Sequence, residues 1–112
     1  MELTPATVVE SLGRISRQLD EQANTVEALD ELATLKKIAY KSAFARAFMS
    51  AEGSVDVRRY TAEIATQDEY LAMELSEQVL RAGREALRVL RDRLDVGRSL
   101  GAIMRMEWSG QS

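Results

Sequence analysis

Between Pro5 and Gly53 the chain contains one residue that a helix resists, Gly13. Pro5 is the only proline in the sequence, and it follows Thr4. Threonine can cap a helix, and proline costs nothing at the first helical position because its missing N–H would be unpaired there. A stretch this long without turn chemistry leaves few alternatives to one long helix. The apolar spacing agrees. Leu12, Ile15, Leu19, Val26, Leu29 and Ala33 follow a 3–4–3–4 heptad, with Gln22 at one seam position. Leu32, Leu35, Ile38, Phe44 and Phe48 then widen the stripe. The pattern predicts a first helix over about 5–51.

Ala51-Glu52-Gly53-Ser54 is the main break, since Gly53 suits a left-handed position and Ser54 can cap a second helix. Val57, Tyr60 and Ile64 keep helical spacing, and Thr66-Gln67-Asp68-Glu69 is a second cap with acids in the first turn. Residues 52–66 read as a connector that holds a short helix. A second long helix is predicted over about 67–107, with Trp108 through Ser112 as a tail. The whole chain, 1–112, reads as a single all-α domain: a long antiparallel helical hairpin with a short connector helix.

A helix of about 46 residues is ~70 Å long, against a radius of gyration of ~13 Å for a compact chain of about 100 residues. A hairpin that thin leaves apolar surface uncovered. The last helix shows two apolar faces: Leu75, Val79 and Ala82-x-x-x-Ala86 on one, Leu80, Leu87, Leu90 and Leu94 on another. One face can pack on the first helix and the other on a neighbouring subunit, giving a homo-oligomeric bundle or ring. The leucines Leu80, Leu87, Leu90 and Leu94 are assigned to the oligomer interface. Gly97 and Gly101 join them as a close-approach pair, with a kink or weak helix end as the competing reading. Trp108 reads as an anchor on a neighbouring helix.

The chain has neither cysteine nor histidine, so disulfides, Cys/His metal sites and any catalysis by a His base or Cys nucleophile are excluded. No nucleophile–base pair, phosphate loop or paired catalytic carboxylate stands out. A non-enzymatic protein with no catalytic residues, no metal and no cofactor is expected. The acidic start lacks a signal-peptide pattern and no apolar run approaches a membrane span, which gives the expectation of a cytoplasmic protein without a membrane partner.

The net charge of −3 conceals an alternation. Residues 1–31, 32–50, 51–80 and 81–112 carry −5, +4, −5 and +3. In the last block Arg81, Arg84, Arg88, Arg91, Arg98 and Arg105 fall on one heptad line, with Asp95 and Ala102 in its two gaps. They form a basic ridge roughly 36 Å long. Arginine grips phosphate bidentately and stacks on bases, so the ridge suits a phosphate track. The alternative is a stripe that is solvated or bridges subunits, paired with Glu77, Glu85, Asp92 and Asp95. The other basic block sets Lys36, Lys37, Lys41 and Arg46 among Tyr40, Phe44 and Phe48, and single-strand binding uses this mixture of cations and rings. Phe44 and Phe48 read better as core, and Tyr40 as the partly exposed ring.

The run Leu35-Lys36-Lys37-Ile38-Ala39-Tyr40-Lys41, the acidic connector with Arg59-Tyr60, and Val96-Gly97-Arg98-Ser99-Leu100-Gly101-Ala102-Ile103-Met104-Arg105 resemble phage recombination mediators of the UvsY type. The resemblance covers about residues 30–110. It implies a helical, ring-like homo-oligomer in the cytoplasm of a phage-infected bacterium. Such a protein binds single-stranded DNA, displaces a single-strand-binding protein and loads a RecA-like recombinase. A Lys-x-Arg pair on the family's central helix serves DNA binding. Lys41 matches the lysine, but Ala43 stands at the arginine position, which leaves Arg46 or the arginine ridge to take its place. The competing expectation is a structural or scaffolding coiled-coil oligomer without nucleic-acid binding, in which the arginines meet acidic segments of neighbouring subunits. A small sequestering protein that holds a ligand between its helices is a third class, and no residue names that ligand.

Overall fold

The computed structural model describes residues 3–110, and these are all-α. Helix α1 spans Pro5–Ser50, α2 Val55–Ala65 and α3 Gln67–Gly110. The predicted boundaries hold within a residue for α1. Helix α3 runs further than predicted, through Trp108 to Gly110, so the first three tail residues are helical. No breaker stands between Gly101 and Gly110, so nothing ends the helix sooner. Positions 111 and 112 lie outside the described residues.

The caps explain where each helix begins. The Thr7 amide donates to Thr4 Oγ1 at 3.2 Å and the Thr4 amide donates to Thr7 Oγ1 at 3.0 Å. This reciprocal arrangement is a capping box, with threonine in the place usually held by glutamate. Ser54 Oγ accepts from the Val57 amide at 3.2 Å and starts α2. Gly53 just before it has φ +112°, a conformation that L side chains rarely adopt. Thr66 separates α2 from α3. It is 3% exposed, and its hydroxyl donates to the Ala62 carbonyl at 2.7 Å. Its own carbonyl accepts from the Tyr70 amide, so both helices share this residue.

Contacts within the chain gather into two units, Met1–Val26 with Gly83–Ser112, and Glu27–Ala82. In the first unit α1 and α3 run antiparallel. Leu12 packs over Gly97, and a Cβ at Gly97 would lie 2.6 Å from Leu12 Cδ2. Val8 sits over Gly101 in the same way at 3.5 Å. At the other end Gln22 Nε2 donates to the Gly83 carbonyl at 3.0 Å. The polar seam position is thus satisfied by backbone, and this hydrogen bond helps to set the register of the two helices. Leu87, Leu94, Gly101 and Met104 are buried along this seam.

In the second unit Ala33, Ala62, Thr66, Met73 and Leu80 are buried, Ala62 completely. An aromatic ladder climbs α1 at four-residue steps. Phe48 and Phe44 stack at 6.3 Å, Phe44 and Tyr40 tilt at 6.1 Å, and Tyr40 meets Tyr70 of α3 edge-on at 5.3 Å. Arg58 of α2 closes one end of this ladder. Its guanidinium lies 4.5 Å from the Phe48 ring centroid, and its Nε donates to the Phe48 carbonyl at 3.3 Å.

Two substitutions test these roles. Gly53→Ala is expected to lower the unfolding free energy by about 1–2 kcal/mol, the cost of forcing an L residue into left-handed backbone. The check is a urea midpoint that falls with an unchanged slope. Gly97→Ala gains about 1 kcal/mol of helix propensity but crowds Leu12, which costs about 1–3 kcal/mol. Alanine at Leu12 relieves the crowding, so a double-mutant cycle should show Gly97→Ala turning stabilising in the Leu12→Ala background. Strict additivity would refute the contact.

Candidate association face and basic segments

From Thr66, just before α3, buried positions recur along the helix every seven residues: Met73 and Leu80 in one unit, Leu87, Leu94 and Gly101 in the other. A strict seven-residue repeat produces a narrow seam that one partner helix covers. Residues outside it stay open even when apolar. On α3 these outside residues form a second seam of the same period. In the first unit it reads Ala86, Val89, Arg93, Val96, Leu100 and Ile103, with gaps of 3, 4, 3, 4 and 3. It lies about 100° round the helix from the buried seam. Val96 is 68% and Ile103 54% exposed. In the second unit Leu75 and Val79 hold equivalent positions and are half exposed.

A shallow groove of about 430 Å³ runs beside this seam in the first unit, with Ile15 of α1 facing Val89, Val96 and Gly97. Asp92 and Arg93 border it. One cation within an apolar seam disfavours in-register parallel pairing with the same face, because the two arginines would meet.

The structure packs within the chain the face of α3 that the sequence reading assigned to a neighbouring subunit. Leu80, Leu87 and Leu94 are buried within the chain, Leu90 is half-buried, and Gly97 and Gly101 face Leu12 and Val8. Of the positions assigned to an interface between subunits, Trp108 is the one left largely exposed, at 55%. The physical reason is distance of approach. Gly83, Gly97 and Gly101 lie on the same seam as these leucines and let α1 come close. Val89, Val96, Leu100 and Ile103 went unrecognised as a face, although their spacing carried the signal; Arg93 interrupts it.

The arginine ridge lies on the opposite flank of the buried seam, about 100° from it. Arg81, Arg84, Arg88, Arg91, Arg98 and Arg105 are all exposed. Arg88 is held on its own helix. Its Nε donates to Glu85 Oε2 at 3.0 Å, its Nη2 to Glu85 Oε1, and its Nη1 to Asp92 Oδ2 at 3.2 Å. Hydrogen bonding from Arg88 lowers the Glu85 carboxyl below its ordinary range, and Glu85 raises the Arg88 guanidinium in return. The members of this triad are more than half exposed, so water screens their attraction. Among the described residues Arg81, Arg91, Arg98 and Arg105 form no ion pair.

In the second unit Lys36, Lys37, Lys41 and Arg46 are exposed and likewise lack an ion pair among the described residues. Tyr40 is half-buried beside them, and Phe44 and Phe48 are also half-buried. Tyr70 and the groove it lines with Tyr40 were not anticipated from the sequence. Among the described residues no cluster of acids suits a metal ion, and no helix is long and apolar enough to cross a membrane. Comparison with known proteins adds no kinship: no family model, no curated protein and no solved structure matches the chain.

Proposed function

We propose that this chain is a non-catalytic helical assembly module that associates with further copies of itself. The observation that carries the reading is the second, exposed apolar seam on α3. It has the same 3–4 period as the buried seam, so a helix of the same kind fits it in the same supercoil. Another copy of the chain supplies such a helix at equal concentration, and closed homo-oligomers are the common outcome. The partly self-paired arginine ridge supports the same reading, because Glu85 and Asp92 already draw on Arg88.

The test places charge in the seam. Light scattering at about 100 µM chain, where mass action favours association, is expected to give more than the monomer mass for the unmodified protein. Val96→Glu with Ile103→Glu should give the monomer mass with helical circular dichroism retained. A monomeric unmodified protein would sink the proposal.

A second reading, a single-stranded-DNA-binding mediator that helps load a RecA-like recombinase, draws support from the exposed, unpaired Lys36, Lys37, Lys41 and Arg46 beside Tyr40. It predicts oligo-dT binding that weakens steeply with salt, and loss of binding without loss of helicity when Lys36, Lys37 and Lys41 become glutamine. No measurable anisotropy change at ~50 mM salt, where phosphate contacts are strongest, removes this reading.

A further inference from the structure

The aromatic ladder of the second unit has two ends that differ. At Phe48 a guanidinium, that of Arg58, lies over the ring at 4.5 Å. At the Tyr40–Tyr70 end the rings border an open pocket of about 430 Å³, completed by Glu63, Ile64 and Gln67. Among the described residues no cation lies over Tyr40 or Tyr70. The pocket wall therefore offers two aromatic rings, a carboxylate and an amide, and carries no positive charge of its own.

That combination is selective. A ring face attracts a cation through its quadrupole, a carboxylate adds charge attraction, and an amide oxygen accepts a hydrogen bond. A phosphate or carboxylate ligand would face Glu63 as a like charge. A neutral apolar ligand would leave Glu63 and Gln67 unused. On α3 the charge of Glu74, followed by desolvation, pushes the Tyr70 phenol above its ordinary range.

We propose that the Tyr40–Tyr70–Glu63 pocket binds a guanidinium or alkylammonium group. The open end of the ladder then takes from outside what Arg58 supplies at the other end. The group has two chemical sources, an arginine side chain of a second copy or a free alkyl polyamine. The site does not depend on the α3 association face.

The experiment uses agmatine, which carries both cationic groups, with butylurea as the neutral comparison at matched ionic strength. Ring resonances of Tyr40 and Tyr70 are followed by NMR. Tyr60, which already holds Arg59 at 5.2 Å, serves as the internal control. Agmatine should shift Tyr40 and Tyr70 and leave Tyr60 still, and butylurea should shift none. Tyr70→Leu keeps apolar bulk and Glu63→Gln keeps shape, and each should weaken the response by about two- to fivefold. Circular dichroism checks that both variants remain helical. Equal shifts with butylurea, no shift by about 50 mM agmatine, where a site with a dissociation constant of about 30 mM would be more than half filled, or an undiminished response in Glu63→Gln would each overturn the assignment. Light scattering in the same titration separates the sources. A falling mass assigns the pocket to an arginine of a second copy, and an unchanged mass assigns it to a free cation.

Discussion

The seven-residue recurrence of buried positions on α3 governs how this protein distributes its apolar surface. A seam of that period covers only a narrow strip of each helix, and everything apolar outside the strip remains exposed. The best-covered residues include small ones, Ala62, Ala33 and Gly101, and among the described residues no large side chain is wholly enclosed. Close approach of backbone, as at Leu12 over Gly97, replaces a thick core. The chain is thereby left with long apolar surfaces and a strong physical reason to cover them.

Charge is arranged around the same seam. In the first unit α3 carries three stripes: a basic flank, the buried seam, and the second apolar seam, each about 100° from the next. An assembly on the apolar stripe would leave the basic flank free, because the two lie on nearly opposite sides of the helix. Association and phosphate binding are therefore compatible in this geometry. They compete only if acidic segments of a neighbouring copy reach the arginines, as Glu85 and Asp92 already reach Arg88.

The second unit adds a different device. Its aromatic ladder is built from residues four apart on one helix and finished by Tyr70 from another. Four-residue steps stack side chains on one face of a helix, so the ladder follows from spacing alone. Its contact with α3 does not, and that contact creates the pocket.

Much of the fold was legible from local chemistry. The scarcity of breakers, the cap at Thr4 with Pro5, the turn at Gly53-Ser54 and the heptad spacing determine three helices and all their boundaries but the C-terminal end of α3, because each acts within one or two turns of chain. The two apolar faces of α3 and the arginine line are legible for the same reason. Which of the two faces packs inside was decided only in three dimensions. Leu80, Leu87 and Leu94 share their seam with Gly83, Gly97 and Gly101, and the gain from close approach appears only when α1 is set against them. The fate of Arg88 and the meeting of Tyr40 with Tyr70 depend likewise on side chains brought together by packing, which a spacing rule along one helix does not contain.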